Sequence, residues 1–198
     1  MSTTIFPGQP ATTRRGDWIQ TYSGVAFWPL DPRVEEIRIE DIAHSLSLQC
    51  RYAGHTRDFY SVAQHSVIVS EICDPEDAIW GLLHDGGEAY LIDLPRPIKH
   101  LPDLSAYRAA ERALQAVIME RFGIRTPEPE SVQRADRAML WIEYRDQLIG
   151  REHADAWRRW REYLTPRATG IDVRFAWNPR RAEDEFLRRF YALAEASK

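Results

Sequence analysis

Apolar residues recur along this chain at helical spacing, in stretches separated by short polar or proline-rich joints. Ile39, Ile42, Leu46 and Cys50 fall at steps of three and four, the signature of one buried helical face. Ser61 is placed to cap a second helix running through Cys73, with Val62, Val69 and Ile72 turned inward. Asp74-Pro75 offers a cap and a first-turn proline for a third, which carries Trp80, Leu83 and His84. Asp93-Leu94-Pro95-Arg96-Pro97 reads as a loop, because proline lacks the backbone donor that a helix interior needs. Asp103 opens a long amphipathic helix with Leu104, Tyr107, Leu114, Ile118 and Phe122 on one stripe, and Gly123 to Pro129 breaks it. Another helix runs from about Ser131 past Leu148 with Asp136 inside it. The Trp- and Arg-rich stretch Ala154 to Tyr163 reads as helical. A final helix spans roughly Pro179 to Ala194 with Phe186, Leu187, Phe190 and Leu193 inward.

Only the first part departs from this periodicity. Residues 1–16 are rich in Thr, Pro and Gly and read as a loose arm. Asp17 to Pro32 carries alternating apolar residues around Ser23-Gly24, which suggests a short hairpin. Tyr52 to Phe59 reads as a connecting loop. The expected fold class is therefore all-α with a short extended N-terminal segment. At 198 residues and 44% hydrophobic content the chain fits one domain, residues 17–198, with a helical C-terminal extension from about residue 150.

Charge narrows the partners. With 26 basic and 30 acidic side chains the net charge is −4, whereas a chain that grips long nucleic acid usually carries a basic excess. The expected substrate is small and is not a nucleic-acid polymer. No apolar run reaches the length of a membrane span, and the first residues lack the apolar stretch of a signal peptide. Cys50 and Cys73 have apolar neighbours and read as reduced thiols rather than a disulfide. A cytoplasmic protein without membrane contact is expected. Trp157, Trp160, Tyr163 and Trp177 look like surplus aromatic surface, which predicts a homodimer or higher homo-oligomer.

Two polar runs inside apolar stretches carry the candidate chemistry: Gln64-His65-Ser66 and Leu83-His84-Asp85-Gly86-Gly87-Glu88. His, Asp and Glu are costly in such surroundings unless bonded to something. His84 and Asp85 offer an imidazole nitrogen and a carboxylate oxygen from neighbouring positions, and His65 offers a second nitrogen. That mixed set suits Mn, Fe, Co, Ni or Zn better than Ca or Mg. Glu88 shares a face with His84 if the helix continues, as an acid or base beside a bound metal. Asp136 could complete four ligands, although an Asp between Arg134 and Arg137 is more often a solvated ion pair.

The order His65, His84-Asp85, Asp136 resembles the H…HD…D pattern of the HD-domain phosphohydrolases. With Asp93-Leu94-Pro95-Arg96-Pro97-Ile98-Lys99 added, the block from about Trp18 to Leu148 is similar to small bacterial 5′-deoxynucleotidases and short phage deoxynucleotide hydrolases. The resemblance implies an HD-type helical bundle. It implies that His65, His84, Asp85 and Asp136 bind one divalent metal, a transition metal such as Mn, Co, Fe, Ni or Zn, with Mg possible. Glu88 and Asp93 would lie beside the attacking water and the leaving oxygen. Lys99 and an arginine, Arg51 or its rival Arg57, would meet phosphate, and His55 is a possible substrate contact. Gly86-Gly87 departs from the Ala or Ser commonly found there. The implied activity is release of 5′-phosphate from deoxynucleoside monophosphates. The alternatives are a deoxynucleoside triphosphate triphosphohydrolase releasing tripolyphosphate and a non-catalytic nucleotide-sensing module. Trp18, Trp28 and Tyr52 are candidates to stack on the base, which would then point toward the N-terminal segment.

Overall fold

Residues 14–196 are described by a computed structural model of the chain. The chain is mostly helical. Its one small sheet pairs β1 (Ile19–Gln20) antiparallel with β2 (Ala26–Phe27), Ile19 opposite Phe27. Gly24 makes the turn between them with φ 84°, a conformation that costs a residue with a side chain more. The loose arm expected over residues 1–16 falls mostly outside the described residues. Its last part is anchored: Arg14 bonds Asp31 at 2.8 Å and Glu36 at 2.6 Å.

Helix α2 (Val62–Ile72) is the centre of the fold. Nearly every residue in it is buried, including the polar Gln64, His65, Ser66 and Ser70, as befits a helix surrounded by others. Helices α1 (Ile39–Leu48), α3 (Ala78–Leu83), α7 (Glu130–Asp146) and α9 (Pro179–Ala196) pack around it. The Ser61 hydroxyl accepts from Gln64 N–H at 3.1 Å, so the expected cap is present. Helix α3 approaches α2 so closely at Gly81 that a Cβ there would lie 3.1 Å from the Ser70 Cα. Helix α6 (Ser105–Arg121) buries Leu114, Ile118 and Met119 against the same core.

Several boundaries differ from the periodicity. Asp74 makes no side-chain cap; Pro75–Asp77 forms a 3-10 turn, and α3 starts only at Ala78. The proline loop contains a single helical turn, α5 (Arg96–Lys99), with Pro97 inside its first turn where a missing donor does no harm. Helix α7 stops at Asp146, short of Leu148. The stretch from Ala154 splits into α8 (Ala154–Arg158) and a 3-10 turn over Arg159–Tyr163.

The region after residue 150, expected as an extension, closes the core. Val173, Ala182 and Phe186 are fully buried. Trp177 N–H donates to the Gln64 side chain at 2.8 Å, and Arg189 holds Ser70 through its hydroxyl at 3.0 Å and its carbonyl at 2.9 Å. These contacts tie the C-terminal quarter to the helix that carries His65.

Both cysteines are free thiols, Cys50 half-buried and Cys73 buried. Burial pushes the Cys73 thiol up to about 11, so it stays protonated and unreactive until the solution becomes strongly alkaline. At pH 8 the native protein should react with a disulfide reagent at Cys50 alone. Cys73 should follow only on unfolding, and two fast thiols in the native protein would contradict this burial.

Candidate metal centre

Three helices and one turn bring the ligating atoms together. His65 projects from the second turn of α2, His84 and Asp85 follow the end of α3, and Asp136 comes from the middle of α7. The His65 and His84 Nε2 atoms are 3.3 Å apart. Asp136 Oδ1 lies 3.3 Å from the first and 3.9 Å from the second. Asp85 Oδ2 lies 3.2 Å from His84 Nε2 and 3.8 Å from His65 Nε2. Bonds of about 2.1 Å to one metal place adjacent donors about 3.0–3.4 Å apart in tetrahedral or octahedral order. His65, His84 and Asp136 thus form a group that could hold a metal ion, with Asp85 against it.

The other ring nitrogens decide which atoms are free to bind. His84 Nδ1 lies 2.8 Å from the Gly81 carbonyl, which can only accept, so Nδ1 carries the hydrogen. His65 Nδ1 lies 2.7 Å from Glu143 Oε1. The Glu143 carboxyl is held down at about 2: burial favours its neutral form, but Arg51 and His65 outweigh that. It is therefore an acceptor, and His65 also carries its hydrogen on Nδ1. Both rings thus turn Nε2 toward one point, the arrangement in which an outer carboxylate or carbonyl fixes a ligand histidine. This donor set fits a divalent cation.

The electrostatics agree. Burial disfavours a charged His84, yet Asp85 and Asp136 push it up to about 10. Asp85 and Asp136 are both held below the ordinary carboxylate range: burial works against them and the neighbouring histidines prevail. The point where the four side chains meet attracts positive charge. Asp136 is free to face it because its neighbours are engaged elsewhere. Arg134 pairs with Glu130 at 3.5 Å, and Arg137 lies over the Tyr163 ring at 5.3 Å.

Beside this point opens a cavity of about 1060 Å3. Asp85, Asp136, Glu88, Asp93, Arg51, Lys99 and His55 all line it. Arg57 does not: it is exposed, and only its backbone is tied, to the Gln147 carbonyl. Glu88 reaches the cavity by a route other than helical continuation from His84. Successive turns, with Gly86 N–H on Leu83 O at 2.9 Å and Glu88 N–H on Asp85 O at 3.0 Å, lead into a new helix, α4 (Glu88–Leu91). Glycine at 86 eases this turn, since a Cβ would lie 3.0 Å from the Leu83 carbonyl, tighter than ordinary contact. The Glu88 carboxyl is nearly buried, its Oε2 has no hydrogen-bond partner among the described residues and Lys99 stands 3.9 Å from Oε1. Burial, then the Asp85 and Asp93 carboxylates, pushes it well above its ordinary range. Burial also raises Asp93, against Arg51 and with Asp85. Lys99 is braced by Glu111 at 2.5 Å.

Arg51 and Tyr52 owe their positions to the short loop before α2. An isolated bridge, Cys50 to Ser61, closes this loop, and Tyr52, Ala53 and Gly54 all take left-handed backbone with φ 55°, 52° and 83°. Such a run costs about 1–2 kcal/mol at each residue with a side chain. It is offset at Glu143, whose Oε2 accepts from Tyr52 Oη at 2.6 Å and Arg51 Nη2 at 3.1 Å. Arg51 Nη1 meanwhile lies 3.6 Å from Asp85.

Glu143 is the residue that sequence reasoning missed. It sits seven residues after Asp136, two helical turns along the same face of α7, so the periodicity that placed Asp136 could have found it. Its charge is hidden among Met139, Leu140, Trp141 and Ile142. Outer carboxylates of this kind are usually worth 10–100-fold in metal affinity. Glu143→Gln should therefore bind a divalent ion about 10–100-fold more weakly in a titration while keeping its helical circular dichroism. Unchanged affinity would reduce Glu143 to a structural anchor.

The aromatic residues are arranged differently from expectation. Trp18 and Trp28 pack against each other at 6.4 Å and do not line the cavity. Trp157 and Trp160 do line it. Tyr163 and Trp177 pack partly buried against the core. All four are half-buried and make contacts within the chain. His44 stacks on Tyr22 at 3.6 Å and pairs with Glu183 at 3.1 Å, away from the cavity.

No family model matches the sequence. Two relatives do. The chain is 34% identical over 151 residues to an uncharacterized protein of Rhodobacter capsulatus, covering 70% of this chain and 76% of that protein. It is 38% identical over 186 residues to the uncharacterized protein YfdR of Escherichia coli, covering 91% of this chain and 98% of YfdR. With likeness along nearly the whole of both sequences, the chain belongs to the same family as YfdR.

Proposed function

We propose that this protein is a metal-dependent phosphohydrolase of the HD type that removes the 5′-phosphate from small deoxynucleotides. One observation carries the reading: two Nε2 atoms and two carboxylates converge beside the nearly buried carboxyl of Glu88, whose Oε2 has no hydrogen-bond partner among the described residues, on the wall of a cavity that also holds Arg51 and Lys99. His65, His84, Asp85 and Asp136 would hold the ion. A divalent metal bound there lowers the pKa of water and neutralises phosphoryl oxygens.

The chain's own groups supply the rest. Arg51 offers a two-pronged donor to the phosphoryl oxygens and Lys99 a point charge. Glu88, raised by burial and two carboxylates, takes a proton from the attacking water. Asp93 gives a proton to the 5′-oxygen as the phosphorus–oxygen bond breaks, leaving phosphate and a deoxynucleoside. Two neighbouring acids, each raised by burial and by the Asp85 carboxylate, divide naturally into a base and an acid. The cavity, just above the roughly 300–1,000 Å3 of ordinary small-molecule sites, suits a single nucleotide.

A second reading, cleavage of a triphosphate to tripolyphosphate, draws on Arg96 and Arg159. Both line the cavity, and neither has an ion-pair partner among the described residues. The test is a panel of nucleoside mono-, di- and triphosphates with Mn, Co, Zn and Mg, analysed by product. Phosphate from monophosphates supports the first reading and tripolyphosphate the second. No turnover of any nucleotide with any of these metals refutes both.

A further inference from the structure

The cavity has two chemically distinct sides. One carries the carboxylates and cations already described, and the other is apolar, built from Leu140, Leu148, Trp157 and Trp160. Trp157 is held unusually firmly for a partly exposed indole. Its ring lies flat on Tyr144, with centroids 5.2 Å apart and planes within 5°, and Tyr52 meets it edge-on at 6.2 Å. Tyr144 occupies one face of the indole, so its cavity surface is what remains. Arg159 lies over the Trp160 ring at 4.8 Å, bringing a cation to the same wall.

Helix α7 joins the two sides. It carries Asp136 toward the metal centre and, eight residues on, Tyr144 behind Trp157, about 12 Å further along one rigid axis. Tyr52 joins them again, with its ring against Trp157 and its hydroxyl on Glu143, which bonds His65. A ligand whose phosphate reaches Asp136 thus has a fixed, flat, apolar plate available to the rest of its body.

We infer that Trp157, backed by Tyr144 and flanked by Trp160, is the platform on which the base of the nucleotide stacks. The inference rests on the phosphohydrolase reading above and adds the feature that selects nucleotides among phosphate esters. A stacking plate reads the π face that every base has, so it favours aromatic substrates over a bare sugar phosphate and tolerates many bases. Discrimination among bases should follow stacking area, with purines ahead of pyrimidines.

The test compares dissociation constants for deoxyadenosine 5′-monophosphate and deoxyribose 5-phosphate, measured by calorimetry on the metal-loaded protein carrying Glu88→Gln, so that neither ligand is turned over during the titration. Trp157→Ala should weaken the nucleotide about 5- to 150-fold, the worth of one base–aromatic stack. It should leave the sugar phosphate within about twofold, and Trp157→Phe should recover most of the loss. Because Trp157→Ala removes a support of Tyr144, Trp160→Ala provides a second variant, expected to show a smaller loss with the same selectivity. Equal weakening of both ligands, or of neither, overturns the platform. If the wild-type protein hydrolyses nucleotides and both alanine variants are indifferent, the platform alone fails. If it neither binds nor hydrolyses nucleotides, the phosphohydrolase reading fails with it.

Discussion

His65→Ala is expected to yield a folded protein that retains essentially no divalent metal and hydrolyses no nucleotide above background. His65 is fully buried, and its Nε2 is within 3.8 Å of all three of the other ligand atoms, so no neighbouring side chain can take its place. The fold should survive the loss. Glu143 keeps Arg51 and Tyr52 as partners, so the change strands no buried charge. Metal content by elemental analysis, beside circular dichroism, checks both halves. A variant that holds metal as the wild type does would show that His65 is a core histidine and that the centre lies elsewhere.

Glu88→Gln separates binding from chemistry. The amide matches the carboxyl in shape and fills the same nearly buried place, but it cannot take a proton from water. No ligand atom is removed, so the metal should remain while turnover falls about 100-fold or more, the usual worth of a positioned acid or base. A loss of metal instead would make Glu88 a ligand. Full activity would leave its unpartnered Oε2 without a chemical role.

Much of this was legible beforehand because helices report themselves through spacing. The faces of α1, α2, α6 and α9 follow from apolar residues at three and four steps, and Ser61 from its place before such a run. Asp136 was readable only as a candidate, since the sequence around it, Arg-Ala-Asp-Arg, equally describes a solvated ion pair. Its direction depends on what α7 packs against, and that is tertiary information. The link from His84 to Glu88 stood open for a related reason. Its shared face required one continuous helix, whereas the chain makes tighter turns across Gly86-Gly87 before α4 begins. The aromatic wall was hidden differently: Trp157 and Trp160 lie far along the chain from every polar motif, and only the fold brings them beside the carboxylates.

The closing of the core by α9 bears on how the protein is made. Helix α2, which carries His65, leaves the ribosome more than a hundred residues before Phe186 and Phe190 exist to cover it. At about 5–20 residues per second the wait is roughly 6–25 s. Throughout that interval a segment that ends almost wholly buried stands without its final partner. Nascent chains should depend on chaperones in proportion to translation time, and the earliest ligands should meet dissolved metal before the site has walls.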